Sequence, residues 1–472
     1  MRPSSYCITV KIPDDDWTLL FHGYTGAVDL VQDRVARVLQ DPFRRLDATP
    51  MLISEQTFSL LRKRGYVTDR SHEEEKAFVR DLGERVHRIM RKHAPCGFLI
   101  IPTYSCNLRC AYCYEKLLRR NTREWLTKCM DKEMVDCAFE AMETLDPVSK
   151  KHKSLSFYGG EPFQKENREI VEYIFRQARQ KGFTMFSAIT NGVDLDHYLD
   201  LLGPDGKIRF IQVTLDGPEG IHDKRRVLAD GRGTFHQISS NITKALELKI
   251  TVSVRINVDR MNIAGLSALR EFFISQGWDR HPNFRGYCSP VHESIEECTG
   301  VPPIWFEGPM DMQQAITIEQ NKRREPLEVS GVTKTIAKHI LAHLNHQGLP
   351  RWKTGFCGSN MSMHLLDPHG DIYPCWEVVG HAEHRIGVYG KGFVSIEPSQ
   401  TEQWHNRSVV RIDECARCRY LYFCGGGCEA FAHRKTGALN RPNCSDFPEL
   451  FQTAALMAYE DFLHTRNTSA SS

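Results

Sequence analysis

At 472 residues, with 41% hydrophobic and 25% charged side chains, the chain has a globular composition and room for two to four domains of about 100–200 residues each. Its 61 basic and 59 acidic residues leave a formal net charge of +2, and nothing in that balance points to nucleic acid as the main partner. No run reaches the roughly 18 apolar residues of a membrane span, and residues 1–16 lack the apolar core of a signal peptide. The 16 cysteines therefore read as metal-binding thiols in a reducing cytoplasm, with no membrane partner, rather than as disulfides.

Residues 1–95 read as a small N-terminal domain. Tyr6, Ile8, Val10 and Ile12 alternate with polar neighbours, as in a half-buried strand. Leu19-Leu20-Phe21, a turn over 22–27, and Val28 and Leu30 predict a strand pairing with the first. Helical patterns follow at 31–39 and 54–64, the latter ending at Gly65 and running into Tyr66-Val67-Thr68. This ending is compatible with a winged-helix-like fold. Residues 72–93 predict a charged surface helix.

The apolar run Gly97–Ile101 precedes Cys106, Cys110 and Cys113, a Cys-x3-Cys-x2-Cys loop. Soft thiolates select zinc, copper(I) or iron–sulfur, and three ligands leave one position free. From Cys96 to about residue 300, strand-like and helix-like segments alternate, as in βα units on a parallel sheet. The six predicted strands are 98–102, 154–158, 184–189, 209–215, 251–258 and 283–288. Helices are predicted at 132–145, 167–181 and 234–248. The motifs fall after the strands: Tyr158-Gly159-Gly160-Glu161-Pro162, then Thr190-Asn191-Gly192, then Asp216-Gly217. The fifth strand carries Arg255 and Asn257 on one face.

The three-cysteine loop followed by Gly-Gly-Glu-Pro after the next strand resembles the radical SAM (S-adenosylmethionine) family. The resemblance implies a partial (β/α)6 barrel over 96–300 and a 4Fe–4S cluster on Cys106, Cys110 and Cys113. It implies contacts to S-adenosylmethionine from Tyr112, Gly159, Gly160, Glu161, Pro162, Thr190 and Asn191. Asp216 and Arg255 are the candidate catalytic residues. Active sites of such barrels lie at the C-terminal ends of the strands.

Residues 301–350, with Pro302-Pro303 and a helical run at 333–345, read as a bridge. Beyond it come Cys357, Gly370-x4-Cys375, Cys415-x2-Cys418-x5-Cys424-x3-Cys428 and Cys444, seven cysteines in about 90 residues. Taken alone, this spacing fits a zinc ribbon as well as iron–sulfur. In order and spacing, residues 351–448 resemble the SPASM domain, which carries two auxiliary clusters in radical SAM enzymes. The resemblance assigns one to Cys415, Cys418, Cys424 and Cys444, and the other to Cys357, Cys375 and Cys428. The fourth ligand of the latter is open, with Cys288 and Cys298 as candidates. Residues 449–472 read as a helix and flexible tail. Cys7, Cys96, Cys129 and Cys137 read as buried small hydrophobes.

The resemblance implies reductive cleavage of S-adenosylmethionine, with electrons from a flavodoxin- or ferredoxin-type donor. It points to a maturase acting on a precursor peptide or protein, with 1–95 docking a leader peptide. Anaerobic sulfatase maturation is the nearest alternative, and a non-catalytic metal-bearing scaffold is the alternative from another class.

Overall fold

The computed structural model describes residues 1–46, 53–113, 115, 118, 121–146, 153–292, 306, 309–323, 332–345, 352–444 and 446–470. Contacts divide the chain into two units, one of 94–330 with 361–406, the other of 1–93 with 331–360 and 407–472.

In the first unit the alternating pattern resolves into six parallel strands: Gly97–Ile100, Lys153–Phe157, Phe183–Ile189, Ile208–Thr214, Thr251–Val258 and Phe284–Pro290. They pair in sequence order, each with the next. All six start within one residue of the predicted position, and the fifth matches at both ends. Their interior positions are Leu155, Phe157, Ile211, Val213, Val252 and Val254, all without exposed surface. The connecting helices explain their own positions. Arg168–Gln180 buries Val171, Ile174, Phe175 and Ala178, an i, i+3, i+4, i+7 stripe. Lys132–Leu145 starts where the Asp131 carboxylate accepts from Met134 N–H at 2.8 Å, a cap contributing about 1 kcal/mol.

The sheet does not stop at six strands. Met363–Leu366 pairs in parallel with Gly97–Ile100, and Asp371–Tyr373, Gly387–Gly390 and Phe393–Ile396 continue it antiparallel, giving ten strands. The sequence reading placed this stretch with the Cys-rich region at 351–448. Contacts instead group 361–406, and with it Cys375, with the barrel. Four consecutive buried residues, Met363–Leu366, are the signature of a strand covered on both faces.

In the second unit, Cys7–Lys11, Trp17–His22 and Val28–Gln32 form a three-stranded antiparallel sheet. Helices Asp33–Leu39, Glu55–Arg64 and His72–His93 follow. The helix–glycine–strand ending is present: Ser54 caps the second helix, Gly65 closes it at φ +94°, and Val67–Thr68 pairs with Arg2–Pro3. These residues build one core of their own, in which Cys7, Leu20, Ala36, Leu39, Leu61 and Tyr66 pack together, and share a second with later helices. Ile8, Val10, Leu19 and Phe21 pack with Ala337 and Ile340 of helix Val332–Leu344, and with Phe451, Ala454 and Ala458 of the terminal helix Phe447–Ala470.

Helix His72–His93 corrects the surface-helix expectation. It buries Glu75, Val79, Gly83 and His87. The Glu75 carboxylate is tolerated inside because Ser4 Oγ (2.6 Å), Arg2 Nη2 (2.8 Å), Ser5 N–H (3.0 Å) and Tyr24 Oη (3.2 Å) all donate to it. Composition masked that face. Of the four remaining cysteines, Cys7, Cys96 and Cys137 are buried as expected, whereas Cys129 is exposed.

Four buried histidines make the fold acid-sensitive. Burial lowers His22 and His87 to about 4, and His222 and His364 to about 3. All four stay neutral in the fold at a pH where an unfolded histidine, titrating near 6.5, is charged. The unfolded chain then binds more protons, so stability is complete above about pH 6.5 and falls as pH drops toward 4. Each histidine is expected to cost about 3 kcal/mol by pH 4. Melting temperature measured from pH 7.5 to 4.5 checks this; a flat profile would contradict it.

Candidate active site

The strand ends of the barrel converge on a cavity of about 450 Å³. Cys106, Cys110 and Cys113 line it, together with Tyr112, Gly159, Gly160, Glu161, Thr190, Asn191 and Arg255. Two predicted residues, Pro162 and Asp216, are not in the lining. Among the described residues, no three His, Cys, Asp or Glu side chains close on one point as the ligands of a single ion do. The three thiols face a volume instead.

The loop of Cys106 is held by the motif that follows the second strand. Gly160 N–H donates to Thr103 O (3.2 Å) and Glu161 N–H to Ser105 O (2.8 Å). A Cβ on Gly160 would stand 2.3 Å from Tyr104 O and 2.4 Å from Ser105 O. The glycine is therefore needed for backbone to approach backbone. The sequence reading gave that approach to a ligand, whereas here it is the run-up to the cluster loop that comes close.

Glu161 also differs from expectation. Its carboxylate accepts from Thr190 Oγ1 (2.7 Å), Phe163 N–H (2.9 Å) and Asn191 N–H. Only 1% exposed, it ties the end of the second strand to the end of the third. Burial pushes it up to about 7, against the pull of these donors. Asn191 in turn aims its amide at Cys106 Sγ (3.8 Å) and Asn107 Oδ1 (2.7 Å), while Leu108 N–H reaches Cys106 Sγ at 3.4 Å. N–H groups directed at a sulfur are one of the means by which proteins tune cluster potentials.

Tyr112, Asp216, Arg225, Arg226 and Asn257 form a second network. Tyr112 Oη donates to Asp216 and accepts from Arg226 Nη1 (3.0 Å) and Asn257 Nδ2 (3.2 Å). Asp216, with no exposed surface, also accepts from Asn257 N–H (2.9 Å) and Arg225 Nε (3.5 Å). Asp216 thus braces Tyr112 from behind the cavity wall. Arg255 does reach the cavity, donating to Asn257 Oδ1 (2.8 Å) and Ser289 Oγ (3.0 Å). Among the described residues Arg255 makes no ion pair.

The sequence reading missed Gln212, Tyr287, Trp376 and Glu377, all of which line the cavity. Gln212 and Thr214 alternate on the fourth strand just as Arg255 and Asn257 do on the fifth, so period two could have found Gln212; Tyr287 Oη donates to it at 2.7 Å. Trp376 and Glu377 follow Cys375 and reach the cavity only through the extra strands.

In the other unit, burial and then the neighbouring thiols of Cys424, Cys444 and Cys418 push Cys415 up to about 12. Cys424 is pushed to about 11 by burial and then, among its neighbours, by Cys444 and Cys418. The four thiols are therefore electrostatic neighbours, although no three of them close on one point. Cys357 and Cys428 lie in this unit as well, and Cys375 and Cys288 in the barrel unit; Cys298 lies outside the described residues. Gly427 has φ +73°, and a Cβ there would stand 1.8 Å from Asn443 O, beside Cys444. Gly427→Ala is expected to cost roughly 3 kcal/mol or more and to lower iron uptake by this unit. Iron per chain after reconstitution and a melting curve check it.

Residues 100–271 match the radical SAM superfamily model. The chain is a radical SAM enzyme. That family uses a 4Fe–4S cluster and S-adenosylmethionine, and the three thiols and glycine-backed strand ends around one cavity fit both. Among its relatives is the cysteine-type anaerobic sulfatase-maturating enzyme of Clostridium novyi (strain NT), 22% identical over 75% of this enzyme and 94% of the relative. Another is mycofactocin maturase MftC of Mycolicibacterium smegmatis, 26% identical over 70% of this enzyme and 76% of the relative. Among solved structures, anSMEcpe with bound AdoMet and Cp18Cys peptide shares the radical SAM enzyme's fold at TM-score 0.56 and 16% identity, over 79% of this chain and 99% of that one. Among the described residues no helix is long and apolar enough to cross a membrane.

Proposed function

We propose that this radical SAM enzyme is a peptide maturase, introducing a thioether or carbon–carbon crosslink into a ribosomally made precursor. The observation that carries the reading is the cavity bounded by the cluster loop and by polar strand ends, including Arg255 and Gln212. It is roomy enough for a side chain brought in on a peptide. The sheet edge Val28–Gln32 supports it. Leu30 there is 41% exposed, and an edge strand can take a leader peptide by strand addition. Relatives named as maturases favour the same class.

In this reading Cys106, Cys110 and Cys113 hold the 4Fe–4S cluster. Gly159 and Gly160 carbonyls, Thr190, Asn191 and Tyr112 face S-adenosylmethionine, while Glu161 and Pro162 position that wall. Bound together, cluster and cosubstrate supply a 5′-deoxyadenosyl radical for hydrogen abstraction. The chain's own part is to exclude water and hold the target C–H close, since geometry decides which bond such a radical attacks. Cys415, Cys418, Cys424 and Cys444 would hold one auxiliary cluster and Cys357 and Cys428 would contribute to a second, chemistry that would supply a sink for the released electron. A flavodoxin- or ferredoxin-type protein in the cytoplasm would supply the reducing electron.

Sulfatase maturation remains the second reading, because a sulfatase-maturating relative matches over 94% of its own length. The test gives the reconstituted enzyme S-adenosylmethionine and dithionite with a Cys-containing candidate precursor peptide. It then repeats the assay with a sulfatase-derived Cys peptide. Loss of two hydrogens, with a bridge located by fragmentation, supports crosslinking. An aldehyde trapped by a hydrazide only on the sulfatase peptide overturns it in favour of formylglycine.

A further inference from the structure

Cys428 caps the helix Glu429–Thr436, and Glu429 is its first residue, where the helix macrodipole favours a carboxylate. Glu429 is nonetheless 1% exposed. Its Oε1 accepts from Ser359 Oγ, which stands 2.9 Å from Cys357 Sγ. One hydroxyl thus links this carboxylate to one cluster cysteine, and the peptide chain links it to another. The Asn360 side chain also hydrogen-bonds to this carboxylate, while Oε2 has no partner of hydrogen-bonding geometry among the described residues. Arg407, the buried cation nearby, is committed elsewhere. Its N–H groups go to the carbonyls of Leu439, Gly427, Gly426 and Arg441 at 2.7–3.1 Å.

A buried carboxylate oxygen without a partner is costly, and three thiolates leave one iron of a four-iron cluster without a protein ligand. The two deficits match. We propose that Glu429 is an oxygen ligand to the auxiliary iron–sulfur centre held by Cys357 and Cys428, supplying the donor that its cysteines do not. The inference rests on the auxiliary-cluster reading above. Carboxylate is a harder ligand than thiolate, so the iron it holds is the one most easily lost or exchanged. The site is then built for an iron that can change its ligand.

The test compares the full-length Cys106→Ala, Cys110→Ala, Cys113→Ala parent with the same chain carrying Glu429→Gln or Glu429→Cys. Each is reconstituted anaerobically, counted for iron, and examined by electron paramagnetic resonance after mild ferricyanide oxidation. The parent is expected to hold about eight irons, two four-iron clusters. Glu429→Gln is expected to lose about one iron per chain and to show a strengthened three-iron signal. Glu429→Cys is expected to keep the parent's iron and resist conversion. Glu429→Gln with the parent's iron and spectrum would overturn the proposal. So would loss of the whole centre in both variants, which would make Glu429 a structural residue. A parent that binds no iron would fail differently, sinking the auxiliary-cluster reading itself.

Discussion

Replacing Cys106, Cys110 and Cys113 together by alanine is expected to lower reconstituted iron from about twelve to about eight per chain and to reduce 5′-deoxyadenosine formation to background. The loop has no other thiol to offer, because the cavity is lined by these three cysteines alone among the described residues. Nor is the loss expected to be a folding defect. All three side chains are only partly buried, and the loop keeps the backbone contacts of Gly160 and Glu161 when the two N–H contacts to Cys106 Sγ are lost. The variant should therefore melt within a few degrees of wild type, which separates lost chemistry from lost structure. Zinc in the wild-type protein, with no nucleoside formed, would sink the enzyme reading and revive the scaffold.

The second large effect divides two residues that the sequence reading paired. Asp216→Ala removes a fully buried carboxylate that accepts from Tyr112, Asn257 and Arg225, and leaves Arg225 with Asp259 alone as its counter-charge. Leaving the buried Tyr112 and Asn257 donors without that acceptor costs about 1–3 kcal/mol each, so melting is expected to fall on the order of 5–10 °C. Arg255→Ala removes two hydrogen bonds to neutral groups, about 1–2 kcal/mol. Its effect should appear instead in chemistry, because its guanidinium lines the cavity. Product formed per nucleoside released is expected to fall on the order of 10²-fold, as when a reacting group is misplaced by about 1 Å. Paired melting curves and chromatographic yields decide it. Equal melting of the two variants would refute the assignment of Asp216 as a brace.

The barrel was legible in the sequence because its strands and helices announce themselves locally. Thr251–Val258 and Lys132–Leu145 needed only periodicity and a cap. The cluster loop was legible through spacing. Other features were invisible for a physical reason: they depend on pairing across long sequence distances. Nothing within Met363–Leu366 says that its partner is Gly97–Ile100, so Trp376 and Glu377 could not be placed at the cavity. Glu75 and Glu429 look like surface carboxylates by type, and the donors that reach them come from distant segments. The role of Glu161 was half legible. Its place in the motif pointed to the site, but its inward hydrogen bonds make it a tie between strands.

The strand that carries the cluster loop, Gly97–Ile100, is flanked on one side by Lys153–Phe157 and on the other by Met363–Leu366, more than 260 residues further along. During synthesis the first edge can be satisfied early, the second only when most of the chain has left the ribosome. Until then an apolar edge stays open beside three reactive thiols, and such edges recruit other chains. High sequence separation also slows closure. A nascent chain stalled before residue 361 is thus the form most exposed to aggregation and oxidation. Slowing translation of the last third of the gene should lower the yield of active protein more than slowing the first third.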